Sequence, residues 1–346
     1  MANIRDVALK AEVSISTVSR VVNGNRPVGP EIRARVLQAV EELGYRPNYL
    51  ARGLRQSNTC MIGMIITDNS NPFYAEMARA IEDAGFAAGY SVILCNSDLS
   101  DEKQQAYVNV LISHQVDGII LIDSKNEMPP TLKQIIAENI PVVVTNIEKP
   151  IPSVDQVIID NYQGGYMAGK YLLNLNHRRI GCITLHPPGE RQSARIYGFQ
   201  DALRESGIEL QLEDFEQGNG RYDSGYNAML ELLQRGLNHT AIFVFNDLMA
   251  LGAINALHSQ GLKVPDDISI IGYDDIFYAS AFEPALTTVA QPVTAIGQQC
   301  FALLLERIQQ PDKPYSCITL PVKLVERNTC RPLILSDIIE ESSSVS

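Results

Sequence analysis

The sequence lacks the motifs that mark the common enzyme active sites. No G-x-G-x-x-G follows the first predicted strand, and neither G-x-x-x-x-G-K-[ST] nor G-x-S-x-G occurs anywhere in the chain. These absences weigh against a dinucleotide enzyme, a nucleotide triphosphatase and an α/β-hydrolase. No other catalytic constellation is visible, so the sequence predicts a protein that is not an enzyme.

Cysteine and histidine are few and scattered. The six cysteines form no C-x-x-C pair, and the five histidines show no metal-ligand spacing. Three of the cysteines lie in strand-like apolar runs, where a thiol is usually a small buried side chain. The sequence therefore predicts no metal, no cofactor and no disulfide framework.

Long apolar segments are also missing. No run of 18 apolar residues occurs, and the first residues, Met1 to Asp6, contain no apolar signal segment. We therefore expect a cytoplasmic protein without a membrane partner.

Charge is unevenly distributed along the chain. The net charge of the 346 residues is -12. Residues 1–60 carry nine Lys/Arg and five Asp/Glu, a net charge of +4, so the remaining 19 basic and 35 acidic residues give -16. A basic head on an acidic body keeps the attraction for phosphates local to the head.

The first 23 residues have the pattern of two short helices. Apolar residues recur at helical spacing in the first: Ile4, Val7, Ala8 and Ala11. After Ser14, a suitable N-cap, a second helix places its valines on one side: Val18, Val21 and Val22. Two such helices joined by about three residues are typical of a helix-turn-helix, although any amphipathic hairpin would look similar.

Residues 29–58 complete a DNA-binding headpiece. Gly29-Pro30-Glu31 opens a third helix, which Gly44 is placed to end. Its predicted buried stripe consists of Ile32, Val36, Leu37, Val40 and Leu43. A further helix from Asn48 to about Leu54 is too short to be stable alone, which suits a segment that orders on DNA and inserts a leucine into the minor groove.

From residue 61 the chain alternates strand-like and helix-like segments. Apolar runs of strand length lie at about 61–67, 91–95, 118–122, 142–145, 157–159, 180–185, 241–245 and 269–273. Helical patterns lie between them at about 72–88, 102–113, 131–139, 162–174, 195–206, 222–233 and 247–260. The alternating pattern restarts at the strand 157–159. We expect two doubly wound α/β halves of parallel strands with a cleft between them.

Amides, carboxylates and aromatic residues follow these strands. Ligands bind beyond the carboxyl ends of parallel strands, so these side chains should line the cleft. They suit vicinal hydroxyls and sugar rings, which predicts a small sugar as ligand. Two ordinary roles remain open: such Asx residues often cap the next helix, and Phe73 and Tyr74 could be helix-face core.

The headpiece resembles that of the lactose-repressor/galactose-repressor (LacI/GalR) family. The resemblance rests on Asp6-Val7-Ala8, on residues 17–23 (Thr-Val-Ser-Arg-Val-Val-Asn), on residues 44–48 (Gly-Tyr-Arg-Pro-Asn) and on residues 51–54 (Ala-Arg-Gly-Leu). It implies that Ile15, Ser16 and Arg20 read bases and that Leu54 is the wedge. The implied DNA-binding set is Ile15, Ser16, Thr17, Ser19, Arg20, Asn23, Asn48, Ala51, Leu54 and Arg55.

The rest of the chain resembles the family's effector-binding core, which is similar to periplasmic sugar-binding proteins. The resemblance implies an effector site at Phe73, Tyr74, Asn146, Arg195, Asn246, Asp274 and Gln291. Two positions depart from sugar-binding relatives: Asn146-Ile147 replaces an Asp-Arg pair, and Gly220 replaces an aromatic residue, with Tyr222 nearby. These departures weigh against ribose itself and against purines.

Together these patterns predict a sequence-specific transcriptional regulator, and the family resemblance implies a repressor. It would bind a palindromic double-stranded operator as a homodimer and respond to a small effector, a sugar or sugar phosphate. The expected parts are a helix-turn-helix domain (1–46), a hinge (47–59), a two-lobed core (60–333) and a flexible tail (334–346). The expected lobes are about 60–160 and 161–290, with the chain crossing back near 291–325. The alternative is a sugar-binding protein without a DNA role.

Overall fold

The computed structural model divides into two compact units, of which the first is Met1–Thr59. Its described part consists of three helices. The structure describes residues 2–23, 27–45, 58–122, 129–147, 150–186, 193–236 and 238–333. The three helices are α1 (Ile4–Lys10), α2 (Ile15–Asn23) and α3 (Pro30–Leu43).

Small apolar side chains hold these helices together. The buried cluster is Val7, Ala8, Ala11, Val18, Val21, Val36 and Ala39. Asn3 caps α1 in a reciprocal arrangement with Asp6, and the Ser14 hydroxyl accepts from the Thr17 amide at 3.2 Å, as an N-cap does. The capping of α2 by Ser14 is therefore confirmed.

The predicted stripe of α3 is wrong at one position. Leu37 is 48% exposed, whereas Val36 and Ala39 are buried. Residues 36 and 37 lie about 100° apart on a helix, so both cannot face the same neighbours. The helix ends as expected at Gly44, whose φ of 57° lies in the left-handed region that glycine adopts without strain.

The second unit, Cys60–Ser346, contains two six-stranded sheets. The strands are β1 (Met61–Ile66), β2 (Ser91–Asn96), β3 (Gly118–Ile122), β4 (Val142–Thr145), β5 (Asp155–Ile159), β6 (Ile180–Thr184), β7 (Phe215–Gln217), β8 (Ala241–Val244), β9 (Ser269–Asp274), β10 (Thr287–Ala290), β11 (Cys317–Leu320) and β12 (Lys323–Val325). The first sheet has the order β11-β5-β4-β3-β1-β2, and the second has the order β12-β10-β9-β8-β6-β7. All pairs are parallel except β10 with β12, so the predicted doubly wound parallel halves are confirmed.

Helices cover both faces of each sheet. They are α4 (Pro72–Ala87), α5 (Asp101–Ser113), α6 (Pro130–Ala137), α7 (Asn161–Asn174), α8 (Ala194–Arg204), α9 (Tyr222–Gln234), α10 (Asp247–Ser259), α11 (Phe277–Ala281) and α12 (Val293–Gln309). We call the first sheet with its helices the first lobe and the second sheet with its helices the second lobe. Helix α12 packs against α4 and β4 and so belongs to the first lobe.

The chain passes between the lobes three times. It leaves the first sheet after β5, returns before α12, and crosses again between β11 and β12. Strand β5 pairs with β4 in the first sheet, although the alternating pattern restarts at the strand 157–159; this pairing agrees with the expected first lobe of about 60–160. Strand periodicity alone cannot show which sheet a strand joins.

Helices α7 and α8 approach unusually closely because glycines line their contact. A Cβ on Gly165 would lie 1.7 Å from the Arg195 carbonyl oxygen, and one on Gly198 would lie 1.9 Å from the Tyr162 carbonyl oxygen. Only hydrogen fits at either position. This approach brings the first turn of α8, with Arg195, next to Asn161 at the start of α7.

Candidate effector site and DNA-reading helix

Asp274 ends the buried strand β9 and is the acidic centre of the candidate effector site. Its φ is 120° and that of Asp275 is 62°, both rare for residues with a side chain, so the chain turns sharply here. Asp274 is only 4% exposed. Burial raises its pKa to about 6, although Arg195 and Gln291 stabilise the ionised form.

Arg195 lies beside this carboxyl and is held on several sides. Its Nε donates to Asn161 Oδ1 at 3.0 Å, and its Nη1 donates to the Phe245 carbonyl at 2.9 Å and to Asp274 Oδ1 at 3.4 Å. The guanidinium also lies 3.8 Å from the Tyr273 ring centroid and 4.6 Å from that of Phe245. The side chain is thus fixed in one orientation before any ligand binds.

Gln291 connects this pair to an open hydrogen-bonding position. Its Nε2 donates to Asp274 Oδ1 at 2.7 Å, which fixes the orientation of the amide because an ionised carboxylate only accepts. Its Oε1 is buried and accepts no hydrogen bond. Among the described residues, only two other buried side-chain oxygens lack a hydrogen-bond partner. A buried acceptor without a partner is costly, so a donor from a bound molecule would fit here.

The first lobe contributes Tyr74 and Asn146. The Asn146 Nδ2 donates to the Tyr74 hydroxyl at 3.3 Å, and Asn146 follows β4 with a φ of 61°. Burial raises the pKa of Tyr74, and the Asp274 carboxylate raises it further. The two lobes therefore bring Tyr74 and Asn146 to the same place as Arg195, Asp274 and Gln291.

Two predicted effector residues have structural roles. Phe73 is 3% exposed and belongs to the core of the first lobe, where its ring packs edge-on against Tyr74. Asn246 is the N-cap of α10: its Oδ1 accepts from the Met249 amide at 2.9 Å, and its Nδ2 donates to the Gly220 carbonyl at 2.9 Å. These are the ordinary roles that the sequence left open for aromatic and Asx residues.

Three residues outside the predicted effector-binding set organise the site, although the sequence places them near strand ends: Asn161, Tyr273 and Asp247. Asn161 Oδ1 accepts from both Arg195 and the Tyr273 hydroxyl, the latter at 3.1 Å. Asp247 is fully buried and accepts from the Thr288 hydroxyl at 2.6 Å and the Ile276 amide at 3.0 Å, so it fixes the turn after Asp274. Burial, with the Asp274 charge, raises the pKa of Asp247 well above its usual value. Asn161 lies two residues after β5, Asp247 lies three residues after β8, and Tyr273 is the residue before the end of β9. This position near a strand end was the available signal.

A separate cavity of about 260 Å³ lies at the amino ends of β6 and β8. Arg179, Asp214 and His239 are among the residues that line it, and it contains no predicted effector residue. Because ligands of doubly wound sheets bind at the carboxyl ends of the strands, the Arg195–Asp274–Gln291 cluster remains the better candidate.

Helix α2 presents a mixed polar and apolar outer face. Ile15 is 41% exposed, Ser16 and Arg20 are also exposed, and Thr17 and Ser19 are half-buried. The hydroxyls of Ser16 and Thr17 both lie within hydrogen-bond distance of the Ser14 hydroxyl, at 2.7 and 2.8 Å. The side chain of Asn23, and all of Asn48, Ala51, Leu54 and Arg55, lie outside the described residues.

The described residues contain neither a metal-binding cluster nor a membrane-spanning helix. Across the described ranges, no group of three or more His, Cys, Asp or Glu side chains is arranged to hold a metal ion. No helix in the described part is long and apolar enough to cross a membrane.

A helix-turn-helix unit followed by a two-lobed core with a polar site between the lobes defines a class of ligand-controlled DNA-binding regulators. Comparison with known proteins places the chain within that class. A family model described as "Bacterial regulatory proteins, lacI family" matches residues 3–48. Another, "Periplasmic binding proteins and sugar binding domain of LacI family", matches residues 59–328. The chain belongs to the LacI family.

Individual relatives agree with this assignment. The chain is 42% identical over 334 residues to the HTH-type transcriptional repressor PurR of Proteus mirabilis, covering 95% of this chain and 97% of that protein. It is 41% identical over 332 residues to the PurR of Pectobacterium carotovorum subsp. carotovorum, with the same coverage.

Two solved structures are also similar. The lac repressor dimer bound to operator and the anti-inducer ONPF has a TM-score of 0.83 at 29% identity, covering 95% of this chain and 99% of that one. A LacI family regulator from Enterococcus faecium with bound ribose has a TM-score of 0.72 at 34% identity, covering 79% of this chain and 100% of that one. The protein is a DNA-binding transcriptional repressor with a small-molecule effector site, as the sequence predicted, and not an enzyme.

Proposed function

We propose that the effector is a neutral small sugar, bound between the lobes by Asp274, Gln291, Arg195, Asn146 and Tyr74. The observation that carries this proposal is the buried Gln291 Oε1, which has no hydrogen-bond partner beside an Asp274 carboxylate that can accept further bonds. Two adjacent acceptors match two vicinal hydroxyl donors. Hydrogen bonds to an ionised carboxylate are also roughly twice as strong as neutral ones.

The charge balance at the site favours an uncharged ligand. Arg195 is already paired with Asp274, and two of its other donor positions are taken by Asn161 and the Phe245 carbonyl. A phosphate on the ligand would lie close to the Asp274 carboxylate, which would repel it. Among the five residues proposed for the site, Arg195 is the only cation, so no second positive charge would offset this repulsion. We therefore favour a free sugar over a sugar phosphate.

Relatives support a sugar ligand. The Enterococcus faecium structure at 34% identity contains ribose, and a regulator at 31% identity, CelR, was solved as a cellobiose complex. Ribose thus returns as a candidate, although the departures at Asn146-Ile147 and Gly220 weigh against it. Pentoses and hexoses are the compounds to compare first.

On the DNA side, we propose that α2 lies in the major groove of a palindromic operator. Its exposed Ile15 suits a thymine methyl, and its exposed Arg20 suits a guanine edge, with Ser16, Thr17 and Ser19 on the same helix. We include Asn23 in the proposed set from the family resemblance alone. Asn48, Ala51, Leu54 and Arg55 would form the hinge contacts. One reading helix of nine residues offers few base contacts, so we propose that a homodimer binds two half-sites. Such a regulator would act in the cytoplasm.

A ligand screen tests the effector proposal. The full-length protein would be titrated calorimetrically with pentoses and hexoses, their phosphates, and purine bases. We expect binding of at least one free sugar, and a ligand at 100 times its Kd should stabilise the protein by about 2.7 kcal/mol in a thermal-shift experiment. Binding of a sugar phosphate or a purine base, with no response to free sugars, would contradict the proposal.

The remaining alternative, a sugar-binding protein without a DNA role, makes a different prediction. The match of residues 3–48 to a DNA-binding family model counts against it. Retention on DNA at low salt, lost at high salt, would exclude it, because phosphate contacts release counterions and weaken steeply with salt.

A further inference from the structure

One ion pair joins the two lobes at the edge of the candidate effector site. The Arg221 Nε donates to Asp68 Oδ2 at 3.0 Å. Asp68 follows β1 in the first lobe, and Arg221 directly precedes α9 in the second lobe. The Asp68 side chain is 14% exposed and that of Arg221 is 60% exposed, so the pair lies at the solvent edge of the cleft.

On the first lobe, Asp68 is held ready to accept this contact. Its Oδ1 accepts from the Ser70 amide at 3.0 Å and the Ser70 hydroxyl at 2.6 Å, which leaves Oδ2 for the arginine. Burial raises the pKa of Asp68, but the hydrogen bonds from Ser70 and Arg221 outweigh it and the pKa is lowered. Asp68 is therefore ionised at neutral pH.

A second carboxylate of the same lobe lies near Arg221. Asp98 accepts from Lys103 and from the Asn96 Nδ2, and the Arg221 charge also lowers its pKa. Asp98 and Leu99 have φ values of 51° and 59°, so two successive residues with side chains occupy the left-handed region. Such backbone strain persists only where the surroundings enforce it.

On the second lobe, the loop before Arg221 is equally well fixed. The Gly220 carbonyl accepts from Asn246 Nδ2, the Asn219 amide donates to the Ser224 hydroxyl at 2.9 Å, and the Arg221 amide donates to Asn219 Oδ1 at 3.0 Å. Gly220 has a φ of 88°, which a larger aromatic residue would adopt only with strain. Gly220, which replaces an aromatic residue of sugar-binding relatives, thus belongs to a loop that directs Arg221 across the cleft.

We propose that Asp68 and Arg221 form a latch that holds the lobes closed over the effector site. Apolar contacts between the lobes at this site differ from the latch in kind. Leu248, Leu251 and Ile276 of the second lobe pack on the apolar cluster that contains Phe73 and Met77. Apolar packing resists salt, whereas a partly exposed ion pair is weakened by it, so the latch makes closure depend on ionic strength. The latch does not depend on which effector binds.

The experiment measures the distance between the lobes in the full-length protein without ligand. Spin labels would be attached to cysteines introduced by Glu102→Cys in α5 and Asp223→Cys in α9, both exposed, after Cys60→Ser and Cys317→Ser remove the exposed native thiols. Electron–electron double resonance then gives the ratio of closed to open lobes. Arg221→Gln and Asp68→Asn should each lower that ratio about two- to fivefold, the range that a partly exposed ion pair supports.

Three controls make the result specific. Arg221→Lys keeps the charge and should stay near the wild-type ratio. Arg204→Gln removes an exposed arginine–aspartate pair within the second lobe, with Asp201, and should change nothing. Raising the salt concentration should open the wild-type lobes but leave Arg221→Gln unaffected.

Two results would overturn the latch. One is an unchanged distance distribution in both Arg221→Gln and Asp68→Asn. The other is equal opening by Arg204→Gln, which would show a general loss of stability rather than a broken contact between the lobes.

Discussion

At the scale of single residues, Asp274 combines two opposing requirements. The proposed effector site needs an ionised carboxylate, yet Asp274 is 4% exposed, and burial raises its pKa to about 6. Arg195 and Gln291 offset part of that cost. The folded protein binds this proton more tightly than the unfolded chain, whose Asp pKa is about 3.9. The contribution of Asp274 to stability is therefore full below about pH 4 and is lost as pH rises to about 6.

Effector binding should show the reverse pH dependence. Because ligand hydroxyls donate to the ionised form, affinity should fall as pH decreases through about 6, and be about tenfold lower at pH 5 than at pH 7. Isothermal titration at several pH values measures this. Asp274→Asn should bind weakly without the same pH dependence; an unchanged wild-type affinity at pH 5 would show that ligands do not need the carboxylate.

Arg20 is the residue on which base reading should depend most. It is exposed on α2, where an arginine can make two hydrogen bonds to guanine O6 and N7. Arg20→Ala should cost about 1–3 kcal/mol on the operator and barely change binding to random DNA. Fluorescence anisotropy on both DNAs at one salt concentration measures the difference. An equal loss on both would show that Arg20 contacts phosphate instead.

At the scale of helices and strands, local patterns predicted some elements well and missed others for physical reasons. Continuous buried strands such as β3 and β4, and long amphipathic helices such as α4, follow directly from their sequences. Strands β11 and β12 have half-exposed, alternating residues on sheet edges, and β7 has three residues, so none gives a clear periodic signal.

The candidate site shows the same division. Residues after strands were correctly expected to gather at the cleft, because parallel strands place their carboxyl ends together. Which of them face a ligand was not predictable. Asn246 and Asn161 have the same side chain after a strand, yet one caps a helix and the other holds Arg195. That difference comes from the close approach of α7 and α8, a tertiary feature.

The return of the chain to the first lobe depends on a buried ion pair. Arg307 of α12 donates through Nε to Asp155 of β5 at 2.7 Å, and through Nη1 and Nη2 to the carbonyls of Pro311, Lys313 and Pro314. Asp155 is fully buried and Arg307 is 6% exposed. One arginine thus fixes the connection between α12 and β11.

Removing that arginine should destabilise the core strongly. Arg307→Leu would remove the closest charged partner of the buried Asp155 and leave it Lys313 Nζ at 3.8 Å and the Ser316 amide at 2.8 Å. Breaking a buried ion pair typically costs about 3–5 kcal/mol, and because Lys313 remains we expect a loss of about 3 kcal/mol. Arg204→Leu, which breaks an exposed pair with Asp201, is the matched control and should cost at most about 1 kcal/mol. Urea denaturation at one protein concentration, followed by circular dichroism, compares the two. Similar losses of unfolding free energy in the two variants would mean that the buried ion pair stabilises the protein no more than the exposed pair does.

At the scale of the whole molecule, the sequence separates DNA binding from effector binding. The basic N-terminal unit contains the helix α2 that we propose reads the DNA, and the acidic core contains the candidate effector site and the proposed latch. An effector changes DNA affinity only to the extent that it binds two states of the protein differently. A change confined to the effector site should therefore abolish regulation without abolishing DNA binding.

Asp274→Ala tests this separation and reports the sign of the coupling. The variant should lose at least tenfold in effector affinity, because ligand hydroxyls and the Gln291 Nε2 lose a charged acceptor. Its operator affinity without effector should stay near that of the wild type, as should that of Asp83→Ala, a control on an exposed aspartate of α4. Asn246→Ala is unsuitable as a control because it also removes the cap of α10.

Operator binding with and without effector, together with a reporter gene, then distinguishes two mechanisms. If the effector induces, the variant represses permanently; if it is a co-repressor, the variant never represses fully. Wild-type effector affinity in a correctly folded Asp274→Ala protein would place the effector site elsewhere in the core.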